Sequence, residues 1–159
     1  MRFLLSNGEH MKTQVSDLPF ASEFTSSSLL VVCANDNNKI VAACGIRGLL
    51  NTLVLYVRED YRSRGVGSQT LNQTIKAARE RGLDFVTLTV DCDNTVAFRL
   101  YDRLGFKEVV SLKRSNQILM MLPLTYAGRL LFNTFSAALL VFPEALLFQA
   151  HRWLYRITT

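Results

Sequence analysis

The ten residues YRSRGVGSQT, Tyr61–Thr70, set two of the chain's eight glycines two positions apart, Gly65 and Gly67, directly behind two arginines, Arg62 and Arg64. Upstream lies NTLVLYV, 51–57, an apolar and β-branched run that reads as a strand. Downstream lies SQTLNQTIKAARERG, where Leu71, Ile75 and Ala78 fall at helical spacing. Ser68 is a fair N-terminal residue for this helix, and Gly82 follows its last turn as a C′ residue should. Arg79 and Arg81 stand where the helix dipole favours cations. FVTLTV, 85–90, is the next strand, with Val86, Leu88 and Val90 on one face. The whole is a strand–helix–strand crossover with a glycine-rich turn at its head. Such a turn suits an anion: free N–H groups point outward, the dipole end is positive, and bare backbone permits close approach. Two phosphate loops are excluded. The pattern GxxxxGK[ST] is absent, and Thr70 stands where a dinucleotide fingerprint needs its third glycine. A plain tight turn remains the alternative on the loop alone.

Outward from this unit, MRFLLS reads as a short strand. Residues 9–28 are polar, broken by Pro19, and leave room for one short helix at most. SLLVVCA and KIVAACGI flank Asn35–Lys39, a hairpin pattern. DNTVAFRLYDRLG is a second helix, capped by Asp93 or Asn94 and ended by Gly105. Its expected buried stripe is Val96, Ala97, Leu100, Tyr101 and Leu104. FKEVV and ILMMLPL are two more strands. The order describes an α/β domain with a mixed sheet.

Composition sets the limits. With 159 residues, 49% of them hydrophobic and 19% charged, the chain is globular and long enough for one core. A net charge of +5 favours anionic partners without choosing among them. Three cysteines, Cys33, Cys44 and Cys92, with no CxxC, argue against a disulfide framework and a zinc site. Only His10 and His151 are present, so no histidine cluster is available for a metal, and none is expected. MRFLLSNGEH lacks the long apolar stretch of a signal peptide, which points to a reducing, cytoplasmic location.

RSRGVG matches the R/Q-x-x-G-x-G/A loop of the GNAT superfamily of N-acetyltransferases, and NTVAFRLYDRLGF resembles that family's N-x-x-A-x-x-x-Y-x-x-x-G-F segment. LYVREDYRSRGVG also resembles its fourth strand and exit. The resemblance spans about residues 29–122 and is nearest to the ribosomal-protein and protein N-terminal acetyltransferases. It implies a mostly antiparallel mixed sheet with splayed fourth and fifth strands and flanking helices. It also implies acetyl-CoA, or another acyl-CoA, as co-substrate and an amine as acceptor. The backbone of Arg62, Ser63, Arg64, Gly65, Val66, Gly67 and Ser68 would hold the pyrophosphate, with the two arginines adding charge. Leu55, Tyr56 and Val57 would pair with the pantetheine arm as if it were a strand. Asn94 would reach the same arm.

Acyl transfer to an amine needs a neutral amine, a stabilised oxyanion and a proton for the departing thiolate. By resemblance, Tyr101 is the acid, and a backbone N–H near Leu55 or Val57 polarises the thioester carbonyl. The alternative for Tyr101 is simple packing on the helix's buried face. The base departs from the family pattern. Relatives place a glutamate on strand four or strand five; the corresponding positions here are Asn51 and Thr89. Asp91 shares the face of Thr89 and is the remaining carboxylate. A water wire, a base elsewhere and an acceptor already neutral all stay open. Cys92 has no histidine beside it to make it a nucleophile.

The catalytic domain is expected to span 1–124, followed by an apolar helical tail, 125–159, uncharged from Leu130 to Pro143 and divided at Pro143 into two helices. The uncharged run is shorter than the roughly 20 residues that span a bilayer. Trp153 and Tyr155 beside His151, Arg152 and Arg156 suit a membrane interface. Residues 129–157 are therefore read equally as a membrane-surface element or as a homodimer interface or lid over the acceptor, with a partner-protein site as a third option. The leading function is an N-acetyltransferase. Alternatives are a CoA-binding sensor or scaffold without catalysis, and a membrane-associated acyltransferase acting on a lipid-like amine. The positive charges are scattered, without a stripe of stacking aromatics, so no nucleic acid is expected.

Overall fold

Small and β-branched apolar residues fill the second and third strands on both faces, so these strands form the centre of the first of two compact units. The computed structural model describes residues 1–6, 18, 28–37 and 39–141. By its contacts the chain divides into Met1–Gly82 and Leu83–Thr159. In the first unit β1 (Arg2–Ser6), β2 (Ser28–Asp36), β3 (Lys39–Arg47) and β4 (Thr52–Val57) pair antiparallel in that order. The expected hairpin is present: Asp36 faces Lys39, and Asn37 takes the left-handed conformation, φ 49°, that asparagine tolerates better than most residues.

Alternation along β2 and β3 sorts their side chains onto two faces, except that the register shift between Ala34 and Asn35 brings Val41 into the same cluster as its neighbour Ala42. Val31, Cys33 and Ala43 cluster with Leu18, and Val54 and Tyr56 of β4 pack against them. Ala34, Val41 and Ala42 pack with Val66, the first residue of α1 (Val66–Glu80). Leu71, Ile75 and Ala78 of α1 are buried as their spacing predicts. Thr70 and Thr74 are buried too. Their hydroxyls donate to the carbonyls of Val66, at 2.8 Å, and Thr70, at 2.9 Å, so neither is left without a partner. Gly82 closes the helix at φ +74°, donating to the Arg79 carbonyl at 3.0 Å. The helix starts two residues before Ser68, because the chain turns into it at Gly65.

In the second unit β7 (Gln117–Pro123) lies between β5 (Phe85–Asp91) and β6 (Lys107–Leu112), antiparallel to both. Val86, Leu88 and Val90 are buried, with Met120, Met121 and Leu122 of β7. α2 (Thr95–Arg103) connects β5 to β6, and α3 (Tyr126–Val141) packs against β7 and β6. The stripe expected on α2 needs one correction. Ala97, Leu100, Tyr101 and Leu104 are half-buried, but Val96 is 79% exposed. Residues 97, 100, 101 and 104 share one face at helical spacing, and 96 lies about a quarter-turn off it. Together the two units contain the mixed α/β class expected, with mostly antiparallel strands and flanking helices.

Most of the polar stretch 9–28, and the tail helix expected after Pro143, lie outside the described residues. Among the described residues no helix is long and apolar enough to cross a membrane, and no group of metal-ligating side chains occurs.

Burial pushes the thiols of Cys33 and Cys44 up to about 12 from an ordinary 9.0; at Cys44 a hydrogen bond with Thr74 opposes the shift weakly. A raised thiol favours the folded state while both states stay protonated. Folding stability is therefore expected to be insensitive to these groups below pH 9, and to fall between pH 9 and 12 as the unfolded thiols ionise first. Cys92 is only half-buried. A thiol reagent at pH 8 is expected to modify one cysteine in the native protein and three after denaturation. A second fast-reacting thiol would contradict the packing of β2 against β3.

Candidate functional site

The turn that joins β4 to α1 is built from constraints on its backbone. Arg58 N–H donates to the Val41 carbonyl at 2.9 Å, fixing the exit of β4 to β3. A single 3₁₀ turn, Glu59–Tyr61, follows. Ser63 then takes φ +60° and Gly65 φ +76°. A non-glycine residue in the left-handed region costs about 1–2 kcal/mol, so the strain at Ser63 is held by its surroundings.

The two glycines serve different needs. Gly65 has open space where a Cβ would stand, and its backbone angle is what requires glycine. Gly67 is ordinary in angle but crowded: a Cβ there would sit 3.1 Å from Val57 Cγ2 and 3.8 Å from Leu55 Cδ2. It lets α1 lie close over β4. The side chains of Leu55 and Val57 are thus committed to packing beneath the helix, and Tyr56 points to the opposite cluster. What these three residues offer a ligand is backbone.

Gly65 is the N-cap of α1 and brings no side chain to accept from the first turn. The leading N–H groups, at Val66, Gly67 and Ser68, therefore face outward without a side-chain cap. No acidic residue stands in that turn. The positive end of a 15-residue helix is left open.

The two arginines divide. Arg62 is turned back on the chain: its Nε donates to the Val57 carbonyl at 3.2 Å, its guanidinium lies 3.5 Å from Glu59, and its own N–H donates to the Glu59 carbonyl. It braces the end of β4 more than it offers charge outward. Arg64 instead lies over the ring of Tyr61, 5.5 Å from its centroid. Asn51 closes the β3–β4 turn at φ 49°, donating to the Gly48 carbonyl at 3.1 Å.

In the second unit Asn94 caps α2: its Oδ1 accepts from Ala97 N–H at 3.1 Å. Its Nδ2 donors are not used by the cap. Tyr101 is half-buried on the same helix, its ring meeting Phe106 edge-on at 5.7 Å. Thr89 and Asp91 are exposed at the end of β5. Asp91 Oδ1 accepts from Gln117 Nε2 at 3.0 Å, Asp93 accepts from Asn116 at 3.1 Å, and Cys92 N–H donates to the Asn116 carbonyl. The β6–β7 turn is thus sewn to the β5–α2 turn. Sequence reasoning did not identify Asn116 or Gln117; two amide side chains in a turn carry no distinguishing signal until the register places Gln117 opposite Asp91.

Each unit so presents its own equipment. The first has an uncapped helix N-terminus behind a strained, arginine-flanked turn, and the second has a capped helix carrying a tyrosine. The sequence profile of the acetyltransferase (GNAT) family matches residues 5–106. An N-alpha-acetyltransferase of Arabidopsis thaliana is 43% identical over 60 residues, covering 38% of this chain and 30% of that protein. The matches span 17–36% of the length of the curated relatives. In fold, the chain is similar to the ribosomal-protein-S18-alanine N-acetyltransferase of Escherichia coli, with TM-score 0.59 and 24% identity over 80% of this chain and 97% of the other. It is also similar to a putative acetyltransferase of Salmonella typhimurium solved with acetyl-CoA, with TM-score 0.54 and 18% identity over 61% of this chain and 65% of the other.

Proposed function

The chain belongs to the acetyltransferase (GNAT) family, and on that premise we propose that it transfers an acetyl group from acetyl-CoA directly to an amine. The observation that carries the reading is the open N-terminus of α1 at Gly65, flanked by Arg64. A diphosphate supplies the acceptors that those N–H groups lack, so the residues present fit the nucleotide end of the donor. In this reading the backbone from Arg62 to Ser68 holds the diphosphate, with Gly65 and Gly67 admitting it. The backbone of Leu55, Tyr56 and Val57 receives the pantetheine arm.

The amine attacks the thioester carbon and the carbon–nitrogen bond forms; as the carbon–sulfur bond then breaks, Tyr101 gives its phenolic proton to the thiolate and regains one from water, which takes up the proton lost by the nitrogen. A strand N–H near Leu55 or Val57 bears the charge that develops on the carbonyl oxygen. Asn51 closes a turn, Thr89 has no carboxylate, and one Asp91 oxygen is already bonded to Gln117. That favours an acceptor that arrives neutral and loses its proton to water. The turnover rate should then rise with pH through the acceptor's own pKa, which is about 8 for an α-amine.

The test is calorimetry with CoA, followed by acetyl-CoA with a panel of amines read by mass spectrometry: peptide N-termini, lysine peptides, small amines and an amino-lipid. An acetylated product supports the reading. CoA binding without product from any amine gives the sensor or scaffold instead, and no CoA binding overturns both.

A second reading concerns α3, which exposes Tyr126 at 76%, Leu130 at 50% and Leu131 at 38%. These favour contact with an anionic membrane surface and, with it, a lipid-like acceptor. Flotation of the full chain with anionic vesicles supports this. A dimer in solution without flotation assigns the face to a second copy.

A further inference from the structure

Tyr61 opens the glycine-rich stretch but has no role of its own in the sequence reading, and three separate contacts converge on it. Its hydroxyl donates to Asp36 Oδ2 at 3.1 Å, across 25 residues of chain. Its ring packs against the cluster of Ala34, Val41, Ala42 and Val66. Over the same ring stands the Arg64 guanidinium. Tyr61 ends the 3₁₀ turn that leads into the strained Ser63, and its N–H donates to the Arg58 carbonyl at 2.9 Å. The turn before α1 is thereby pinned to the last residue of β2, at the tip of the β2–β3 hairpin.

We propose that Tyr61 and Asp36 are positioning residues for the diphosphate of the donor: their bond fixes the turn in its strained form and holds Arg64 beside the open end of α1. This rests on the acetyl-CoA reading above. The physical argument is one of preorganisation. The turn contains two left-handed residues, Ser63 and Gly65, on either side of Arg64, and arginine has the freest side chain of the three. A ring clamped at one end by Asp36 gives the guanidinium a fixed surface, so less conformational freedom is lost when an anion binds. The bond lies at the opposite end of the turn from Gly67, where α1 packs on β4. Loosening it should therefore disturb anion binding before it disturbs the helix.

Calorimetric titration with CoA tests this on the full chain. Tyr61→Phe keeps the ring under Arg64 and removes only the hydroxyl. It is expected to weaken CoA binding about 3–10-fold, the worth of one hydrogen bond. Asp36→Ala should match it, and the double variant should lose no more than either single one. Asp36→Asn retains an acceptor oxygen and is expected to stay within about twofold of the wild type, a rescue that a merely structural carboxylate would not show. Unchanged affinity in Tyr61→Phe, additive losses in the double variant, or equal losses in Asp36→Asn and Asp36→Ala would each overturn the pairing while leaving the acetyl-CoA reading intact. A wild-type chain that does not bind CoA overturns that reading and the pairing with it.

Discussion

Tyr101→Phe is expected to lower turnover about 100-fold and to leave CoA affinity within about twofold. The size follows from the leaving group. An alkyl thiol has a pKa near 8.5 and a phenol near 10, so proton transfer to the full thiolate runs slightly uphill. A thiolate also leaves tolerably without help. The acid therefore contributes at the low end of the usual 10²–10⁴ range. The variant keeps the contacts of Tyr101 that hold the end of the helix, and its melting temperature is measured beside its kinetics to separate a chemical loss from a structural one. The Tyr101 carbonyl, not its side chain, accepts from the Leu104 and Phe106 N–H groups, both at 3.1 Å, and so holds the end of α2. The edge-on contact with Phe106 belongs to the ring, which phenylalanine keeps. A melting temperature close to wild type, with kcat reduced and the Kd for CoA unchanged, is the expected pattern. Full activity in the variant would move the proton donor to water and return Tyr101 to a packing role.

What was legible in the sequence depended on the range of the interaction that fixes each residue. Gly65 and Gly82 were legible because a left-handed residue between two periodic segments demands glycine, and both have positive φ. The cap at Asn94 was one of two choices, decided by which side chain reaches the Ala97 N–H. The rotation of α2 against its sheet was not legible to a quarter-turn. Val96 is apolar and adjacent to the true stripe, and only packing tells them apart. The employment of Arg62 was hidden for another reason: a guanidinium on a long flexible stem can point outward or fold back, and the proximity of Glu59 and the Val57 carbonyl chooses the second. Ser63 at φ +60° carried no signal, because strain at a non-glycine residue is imposed by its neighbours. The bond between Asp36 and Tyr61 joins a hairpin tip to a distant turn, and sequence spacing does not report such pairs.

Gly128→Ala is the second substitution with a large expected effect, and its sign is opposite to what helix propensity alone predicts. Alanine in a helix interior is favoured over glycine by about 1 kcal/mol. At Gly128, however, an added Cβ would lie 2.9 Å from the Asp84 carbonyl carbon, closer still to its oxygen, and 3.5 Å from the Pro123 Cα. These are backbone atoms and cannot step aside by changing rotamer. The Asp84 carbonyl is also the acceptor for Leu124 N–H at 2.8 Å and Thr125 N–H at 3.2 Å, while the Thr125 hydroxyl bonds the Asp84 carboxylate and accepts from Gly128 N–H at 3.2 Å. Displacing the helix by the width of a methyl therefore strains the whole junction. Overpacking of 1–3 kcal/mol plus loss of one or two of these bonds outweighs the propensity gain, for a net loss of about 2 kcal/mol. For a chain of this size that lowers the melting temperature by about 4–8 °C. Hydrogen exchange locates the effect: the amides of Leu124 and Thr125 should lose protection first. An unchanged melting temperature and unchanged protection would mean that α3 is not seated on Asp84. The apolar helix would then be free to act away from its unit, which favours the membrane reading. The expected loss instead makes the first turn of α3 part of the folded unit, so that a truncation at Leu124 removes structural contacts as well as any docking surface.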